Sequence, residues 1–475
     1  MIALPATLLK ILLSTILLTA IIPFILSTYK GYKGLIFLSC VTACFIESMG
    51  IAYFYIYSGR ASWKLASMLG FDIGFTLEPL GIVLTNLLTG LWVVSSLYVI
   101  NYPNKINGTD QAKSFAILGL IIFSSVFVIL SKNLFSMFFA YEMIRILTVI
   151  SAPANSLRKA ILIQSLTSLI FIYFILCVYY MTGSTEFILG GILPKELPII
   201  YIHLLLLGAI FGIVQTIIFQ VNIFLKNDVI DTSLIVSLFQ TLIIINLGLF
   251  SLLKIIIYIF GIEYLTIAIS GFNWPIILSI LYLIYALYKS INSRIIHHIL
   301  TYSILSGTAI VLTAIFTLTQ KSIMGAISHI VAQSFSEITL FFIACRFYTY
   351  SKSVRVEELK GLAYQFPIAA ILFIIASLPL IGLHTFSATN DIALILESLI
   401  EPQPNYILLS VITFSIIATI FYLGRFVCFF YIRTKKTIHK QNISALDLIT
   451  GLSTICIVTF PIVEKFLNSL LWSIL

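Results

Sequence analysis

Charged residues are scarce in this chain: Asp, Glu, Lys and Arg make up 9% of its 475 residues. Soluble domains carry about 25%, so an ordinary soluble enzyme is excluded. Histidine and cysteine are few as well, at six each. Cys40 and Cys44 stand one helical turn apart rather than in a CxxC pair, and Cys177, Cys345, Cys428 and Cys456 lie singly in or beside apolar runs. That spacing gives no reading as a disulfide framework, zinc site or iron–sulfur cluster. The chain has no P-loop, no glycine-rich dinucleotide turn after a strand and no nucleophile motif. No cofactor and no catalytic site are therefore expected in this chain. It also has no long basic or acidic tail. The net charge of +9 comes from basic residues in short loops between apolar runs, a pattern that sets membrane topology and does not mark a nucleic-acid surface.

What is abundant is apolar length. Sixty per cent of the residues are hydrophobic and mean hydropathy is +1.12. About 20 apolar residues cross a bilayer as a helix. The sequence predicts an all-α polytopic membrane protein with about 14 transmembrane helices. They lie near 7–28, 34–58, 78–101, 114–131, 133–151, 160–182, 199–224, 232–253, 273–291, 297–319, 322–346, 366–390, 404–432 and 449–473. The first run is too long for a signal-peptide core and lacks a small-x-small cleavage site, so it is expected to be a membrane helix. This count divides the loops into two alternating sets. One holds eighteen Lys and Arg, while the other holds Arg60, Lys64, Lys132, Lys195, Lys254 and Lys321. The bias predicts that both termini face away from the cytoplasm. The connections at 59–77 and 183–198 are the longest, and no large soluble domain interrupts the chain.

The stretch Lys132–Ile150, KNLFSMFFAYEMIRILTVI, places Glu142 near its middle and Arg145 one turn later. An ionisable residue at mid-membrane costs roughly 2.5–3.5 kcal/mol on insertion scales, and so marks a function by default. The bland alternative is that the two neutralise each other and pin a helix contact. Two spans look irregular. Span 7 runs into Phe219-Gln-Val-Asn222 and then Lys226, Asp228 and Asp231, while span 12 reads LPLIGLHTFSATND, with Pro379, Gly382, His384 and Asp391. Broken helices at corresponding places in two halves are typical of transporters built from repeats. Plain helix ends are the alternative.

The order of motifs carries a resemblance. FTLEPLGIVLTNLLTGLWVVSSLYVINY (75–102), NLFSMFFAYEM (133–143), GSTEFILGGIL (183–193), LLKIIIYIFGIEYL (252–265), ILTYSILS (299–306), SHIVAQSFSEITLFFIA (328–344), LKGLAYQFP (359–367) and SLPLIGL (377–383) follow one another at the right spacing. They resemble the D subunit of Mrp-type monovalent cation/proton (Na+/H+) antiporters. That superfamily includes the proton-pumping, antiporter-like membrane subunits of NADH:quinone oxidoreductase (complex I). The resemblance spans residues 70–400 and implies fourteen helices, two inverted five-helix repeats and broken helices 7 and 12. The implied division is 1–105, a three-helix region; 106–260, the first repeat (spans 4–8); 261–440, the second repeat (spans 9–13); and 441–475, a last helix. Other membrane subunits would be partners, protons and Na+ the moving ions, and the bacterial inner membrane, in preference to the mitochondrial one, the location.

The family pairs a fifth-span Glu with a seventh-span Lys and moves protons along mid-membrane Lys and His. Glu142 matches that Glu. The seventh-span Lys falls on Gln215, and the Pro and His after it on Gln220 and Asn222. The eighth-span His and Lys fall on Gln240 and Asn246. An eleventh-span H-x3-H-x3-K reads His329, Gln333, Glu337, which share one helix face. The twelfth-span GLPP reads GLHT with His384, and its Lys falls on Ile392 beside Asp391. Gln and Asn keep hydrogen bonding but do not titrate, and Arg145 holds its proton. Three readings remain open: an Mrp-type subunit with altered or reduced conductance, a proton-translocating complex I subunit, and a non-conducting scaffold. His329 and Glu337 are equally readable as a satisfied buried histidine and a glutamate at a helix contact.

Overall fold

The computed structural model describes residues 3–25, 33–68, 70–102, 108–151, 157–225, 232–351, 353–383, 391–400, 405–432 and 444–471. These residues form seventeen α-helices and one hairpin. In chain order the first part is α1 (Ala3–Ile25), α2 (Lys33–Ser58), β1 (Ala61–Met68), β2 (Phe71–Leu77), α3 (Pro79–Asn101), α4 (Gly108–Ile129), α5 (Leu134–Ile150), α6 (Leu157–Thr182), α7 (Ile199–Leu225) and α8 (Thr232–Ile255). After a π-helical turn at Ile256–Phe260 come α9 (Ile262–Ile269), α10 (Trp274–Asn292), α11 (Ile296–Phe316), α12 (Gln320–Ser351), α13 (Leu362–Gln365), α14 (Pro367–Ser377), α15 (Asp391–Ser398), α16 (Tyr406–Tyr431) and α17 (Ala445–Leu471). Among the described residues, eight helices are long and apolar enough to cross a membrane.

The burial pattern is that of a membrane protein. Leu162, Leu169, Tyr173, Tyr180, Tyr406 and Ile407 are exposed, while Arg145, His329, Glu337, Asp391 and Lys254 are buried. With no water in the hydrocarbon, apolar residues can face outward and polar groups must find partners inside. α8 and α12 form the centre: every residue of 238–260 is buried, and α12 packs on α3, α8, α11, α14, α15 and α17. α4 packs on α5 and α8, as α10 packs on α11 and α16.

Two expectations are corrected here. The connection 59–77 is not a loop but the antiparallel hairpin β1–β2. β2 is tied to the α4–α5 junction by Thr76 N–H to Leu130 O (2.7 Å) and Lys132 N–H to Gly74 O (3.0 Å), so the junction supplies part of the ladder that makes these residues extended. Span 7 does not break within Ile199–Leu225, which runs as one helix. It contains no proline, so no N–H is lost from the i→i−4 ladder. The polar group that follows it (226–231) lies outside the described residues. Span 12 does break: α14 ends in a 3-10 turn at Pro379–Ile381, and Gly382 then adopts φ 75°, a left-handed conformation that glycine reaches without penalty.

Candidate functional site

The site begins on α5. Asn133 caps it, accepting from Ser136 N–H at 2.8 Å, and three residues of helical spacing put Glu142 and Arg145 on one face. Arg145 is 2% exposed. Its Nη1 donates to Glu142 Oε1 and to Ser168 Oγ at 3.0 Å, and its Nη2 donates to Gly212 O at 2.7 Å. The Ser168 hydroxyl lies 2.8 and 2.7 Å from the two Glu142 oxygens. The rings of Tyr141 and Phe171 each stand 5.8 Å from the guanidinium. Gly212 brings an α7 carbonyl into reach because a side chain there would collide with Phe171. Glu142 remains 29% exposed, so this ion pair is buried on the arginine side and open on the glutamate side. Gln215 sits on α7 one turn beyond Gly212. The side chains of Gln215 and Asn222, and all of His384, lie outside the described residues.

A second polar run follows α12. His329, Gln333 and Glu337 share its buried face, and each meets a different neighbour. His329 Nδ1 lies 2.7 Å from Asp391 Oδ2, the ring N–H donating. Asp391 opens α15, and its Oδ1 accepts from Ile392 N–H at 2.8 Å. Gln333 Nε2 donates to Ile304 O at 3.0 Å on α11. Its amide fills the space beside Gly307, where a Cβ would come within 2.4 Å of it. Glu337 Oε1 accepts from Ser303 Oγ at 2.9 Å, and Ser303 Oγ in turn accepts from Tyr422 OH at 2.9 Å. Glu337 Oε2 has no hydrogen-bond partner among the described residues. On the adjoining side Asn246 Nδ2 donates to Ser334 Oγ at 2.7 Å, and Gln240 is buried on the same helix as Asn246.

The structure thus joins Glu142 to Arg145, and His329 to Asp391. It does not join His329 to Glu337 through Gln333, because the Gln333 amide is turned to a backbone carbonyl instead. Sequence reasoning missed Ser168, Ser303 and Tyr422, whose residue types are common at helix contacts. It also assigned Lys254 to a loop. Lys254 is 1% exposed and lies inside LLKIIIYIF, an apolar run that continues past it; that continuation was the available signal.

Fold and site together define a multi-pass, all-α membrane protein with ionisable pairs buried between its helices. Residues 131–419, more than half of the chain, match the family "NADH:quinone oxidoreductase/Mrp antiporter, TM", and the chain belongs to that family. Solved structures with the same fold include the Mrp complex from Dietzia sp. DQ12-45-1b, where a chain matches at TM-score 0.81 and 13% identity over 98% of this chain and 96% of that one. The membrane-bound sulfane sulfur reductase, an archaeal respiratory membrane complex, contains a chain matching at TM-score 0.79 and 13% identity with the same coverage. Among curated proteins, NAD(P)H-quinone oxidoreductase subunit 5 of the Phaseolus vulgaris chloroplast is 22% identical over 69% of this chain and 45% of its own length. That of Lemna minor is 22% identical over 69% and 46%. The chain spans about half the length of these relatives.

Proposed function

We propose that this chain is a D-type membrane subunit of an Mrp-like cation/proton exchanger, assembled with other membrane subunits in a bacterial inner membrane, and that it moves protons along its buried axis by an altered route. The observation that carries this reading is the Glu142–Arg145–Ser168 cluster. It keeps an ionisable carboxyl, partly accessible, at the family's fifth-span position. End-to-end coverage of a chain in the Dietzia complex supports the Mrp branch. The like packing of α4 on α5 and α8 and of α10 on α11 and α16 supports two repeats at 106–260 and 261–440, with 1–105 and 441–475 outside them. The buried route then runs through groups that titrate, namely Glu142, His329, Asp391 and Glu337, with Asn246, Gln333, Ser303 and Tyr422 as hydrogen-bonding neighbours. Arg145 sets potential and holds Glu142.

The test is mild-detergent purification of the tagged native complex, mass spectrometry of its partners, and Na+-driven proton exchange in proteoliposomes. Other antiporter-type subunits are expected without flavin or iron–sulfur proteins, and Glu142→Gln is expected to lower exchange at least ~10-fold, since positioned proton transfer is worth about 10²-fold or more. Unchanged exchange would remove Glu142 from the transport path. A second reading, a proton-translocating subunit of an NADH:quinone oxidoreductase, is favoured by the curated relatives. Co-purifying flavin- and cluster-bearing subunits would establish it.

A further inference from the structure

Ionisable groups also gather away from the axis, where β1–β2, the start of α3 and the ends of α4 and α8 meet. Lys254 Nζ donates to Ile129 O at 3.1 Å and to Ser131 O at 2.7 Å. It stands 3.6 Å from Glu78 Oε2 and 4.6 Å from the centre of the Phe187 ring. Glu78, 3% exposed, opens α3 ahead of Pro79. Its other oxygen accepts from Arg60 Nη2 at 3.0 Å, and Arg60 is 51% exposed. The same Nη2 donates to Phe187 O at 3.0 Å. One buried carboxylate therefore links a surface guanidinium to a buried ammonium.

The cluster also points inward. Ser251 lies one turn before Lys254 on α8, and Tyr141 OH donates to Ser251 Oγ at 2.8 Å. Tyr141 is the neighbour of Glu142 and faces the Arg145 guanidinium. Tyr141 and Ser251 thus form one hydroxyl pair, flanked by Glu142 and Lys254 along their own helices, and Ser251 Oγ donates to Leu247 O at 2.8 Å. Immediately after Lys254 the helix opens into the π turn Ile256–Phe260, closed by Gly261 N–H to Ile256 O at 2.9 Å. Such turns recur at functional sites, and Tyr258 within it stands in electrostatic reach of Glu78.

We infer that Glu78 and Lys254 form a proton-transfer site, with Arg60 at its mouth, ending a route that leads from Glu142 through Tyr141 and Ser251 to the hairpin face. Two cations share one carboxylate in this cluster, so it carries surplus positive charge when Lys254 is an ammonium. Transfer breaks an Nζ–H bond of Lys254 and forms an O–H bond on Glu78 Oε2, leaving a neutral amine and a neutral acid. Glu78 then yields that proton to water beside Arg60 and returns to its ion pair. Lys254 regains a proton when the Ser251 hydroxyl turns from Leu247 O to Nζ, gives up its proton there and takes one from Tyr141, which is reprotonated from the Glu142 side. The cations themselves have different parts: Arg60 keeps its proton at any ordinary pH, whereas lysine can give it up. A mere tether needs only positive charge at position 254.

This inference rests on the reading that the chain conducts protons, and the test separates the two. Proteoliposomes holding the whole native complex are compared for wild type, Lys254→Arg, the double variant Glu78→Gln/Lys254→Met, and Glu142→Gln, each checked for assembly by size-exclusion chromatography. Lys254→Arg keeps the charge and the ion pair but not the releasable proton. The double variant removes both charges, so it leaves neither one buried alone should arginine not fit the cradle. We expect both to assemble and to exchange protons at least ~10-fold more slowly than wild type. Wild-type exchange by either assembled variant, with Glu142→Gln impaired, overturns the site and leaves the functional reading standing. Wild-type exchange in Glu142→Gln as well overturns both.

Discussion

Arg145 has more acceptors than a surface ion pair would offer: a carboxylate, a hydroxyl and a helix carbonyl, with two aromatic rings beside it. Breaking a buried ion pair from one side leaves a charge uncompensated at a cost of roughly 3–5 kcal/mol, whereas replacing both partners by neutral groups is often close to neutral. Removing Glu142 leaves the fully buried Arg145 charge uncompensated and falls within that range, whereas removing Arg145 strands only the partly exposed Glu142 and costs less. Glu142→Gln is therefore expected to destabilise the purified protein by roughly 3–5 kcal/mol, and Glu142→Gln/Arg145→Met to recover most of it, as read from unfolding in mixed detergent. No recovery in the double variant would mean that Arg145 contributes chiefly through Ser168 and Gly212. At this scale the pair itself was legible, because a three-residue helical spacing is a local property. Ser168 and Gly212 were not, since they arrive on α6 and α7 and nothing in the α5 stretch names them.

The two irregular spans show what an element needs in order to break. α7 carries polar residues but no proline and stays helical through Leu225, whereas span 12 has Pro379 and Gly382 in left-handed conformation. Gly382→Ala is expected to cost about 1–2 kcal/mol, the penalty of a side chain in that conformation, and its Cβ would also press on Ile392 at 3.1 Å. A thermal unfolding midpoint equal to wild type would show that the turn relaxes. The hairpin is an element the apolar pattern did not reveal, because its strands are specified by their hydrogen bonds to the α4–α5 junction. The Lys64 ammonium, hydrogen-bonded at 2.6 Å, holds the Asp72 carboxyl below its usual range. A carboxylate with a lowered pKa stabilises the fold above the ordinary value of about 3.9, and that contribution disappears as pH falls through the lowered one. Protection of the β1–β2 amides, relative to their intrinsic exchange rates, is thus expected to fall on acidification below pH ~4, and Lys64→Met to flatten the dependence. The effect is small, since both groups are exposed and screened.

For the whole molecule the question is whether a lysine-poor axis conducts. The resemblance sets Gln215, Gln240, Asn246 and Gln333 at positions where that family carries titratable groups. If they keep a hydrated seam open, replacing all four by Leu should abolish proton exchange in an assembled complex. If the chain is a scaffold, exchange by the complex should be unchanged. Assembly itself is expected to survive, because the lipid-facing surfaces of α6, α7, α10 and α16 are untouched.

The sequence alone determined that this protein lives in a bilayer, that it is helical, where most of its long apolar helices lie to within a few residues and that Glu142 and Arg145 share a face. These follow from hydropathy, helical length and helical period, all of which are local. Tertiary structure alone decided which charges meet. It brought Asp391 to His329 across 62 residues, turned Gln333 from His329 and Glu337 to a backbone carbonyl, and took Lys254 from the loops into the interior beside Glu78. The physical reason is that a buried charge must be matched within a few ångströms. In a helical membrane protein the matching group comes from whichever helix packs alongside, a choice set by side-chain fit between distant segments and not by spacing along the chain.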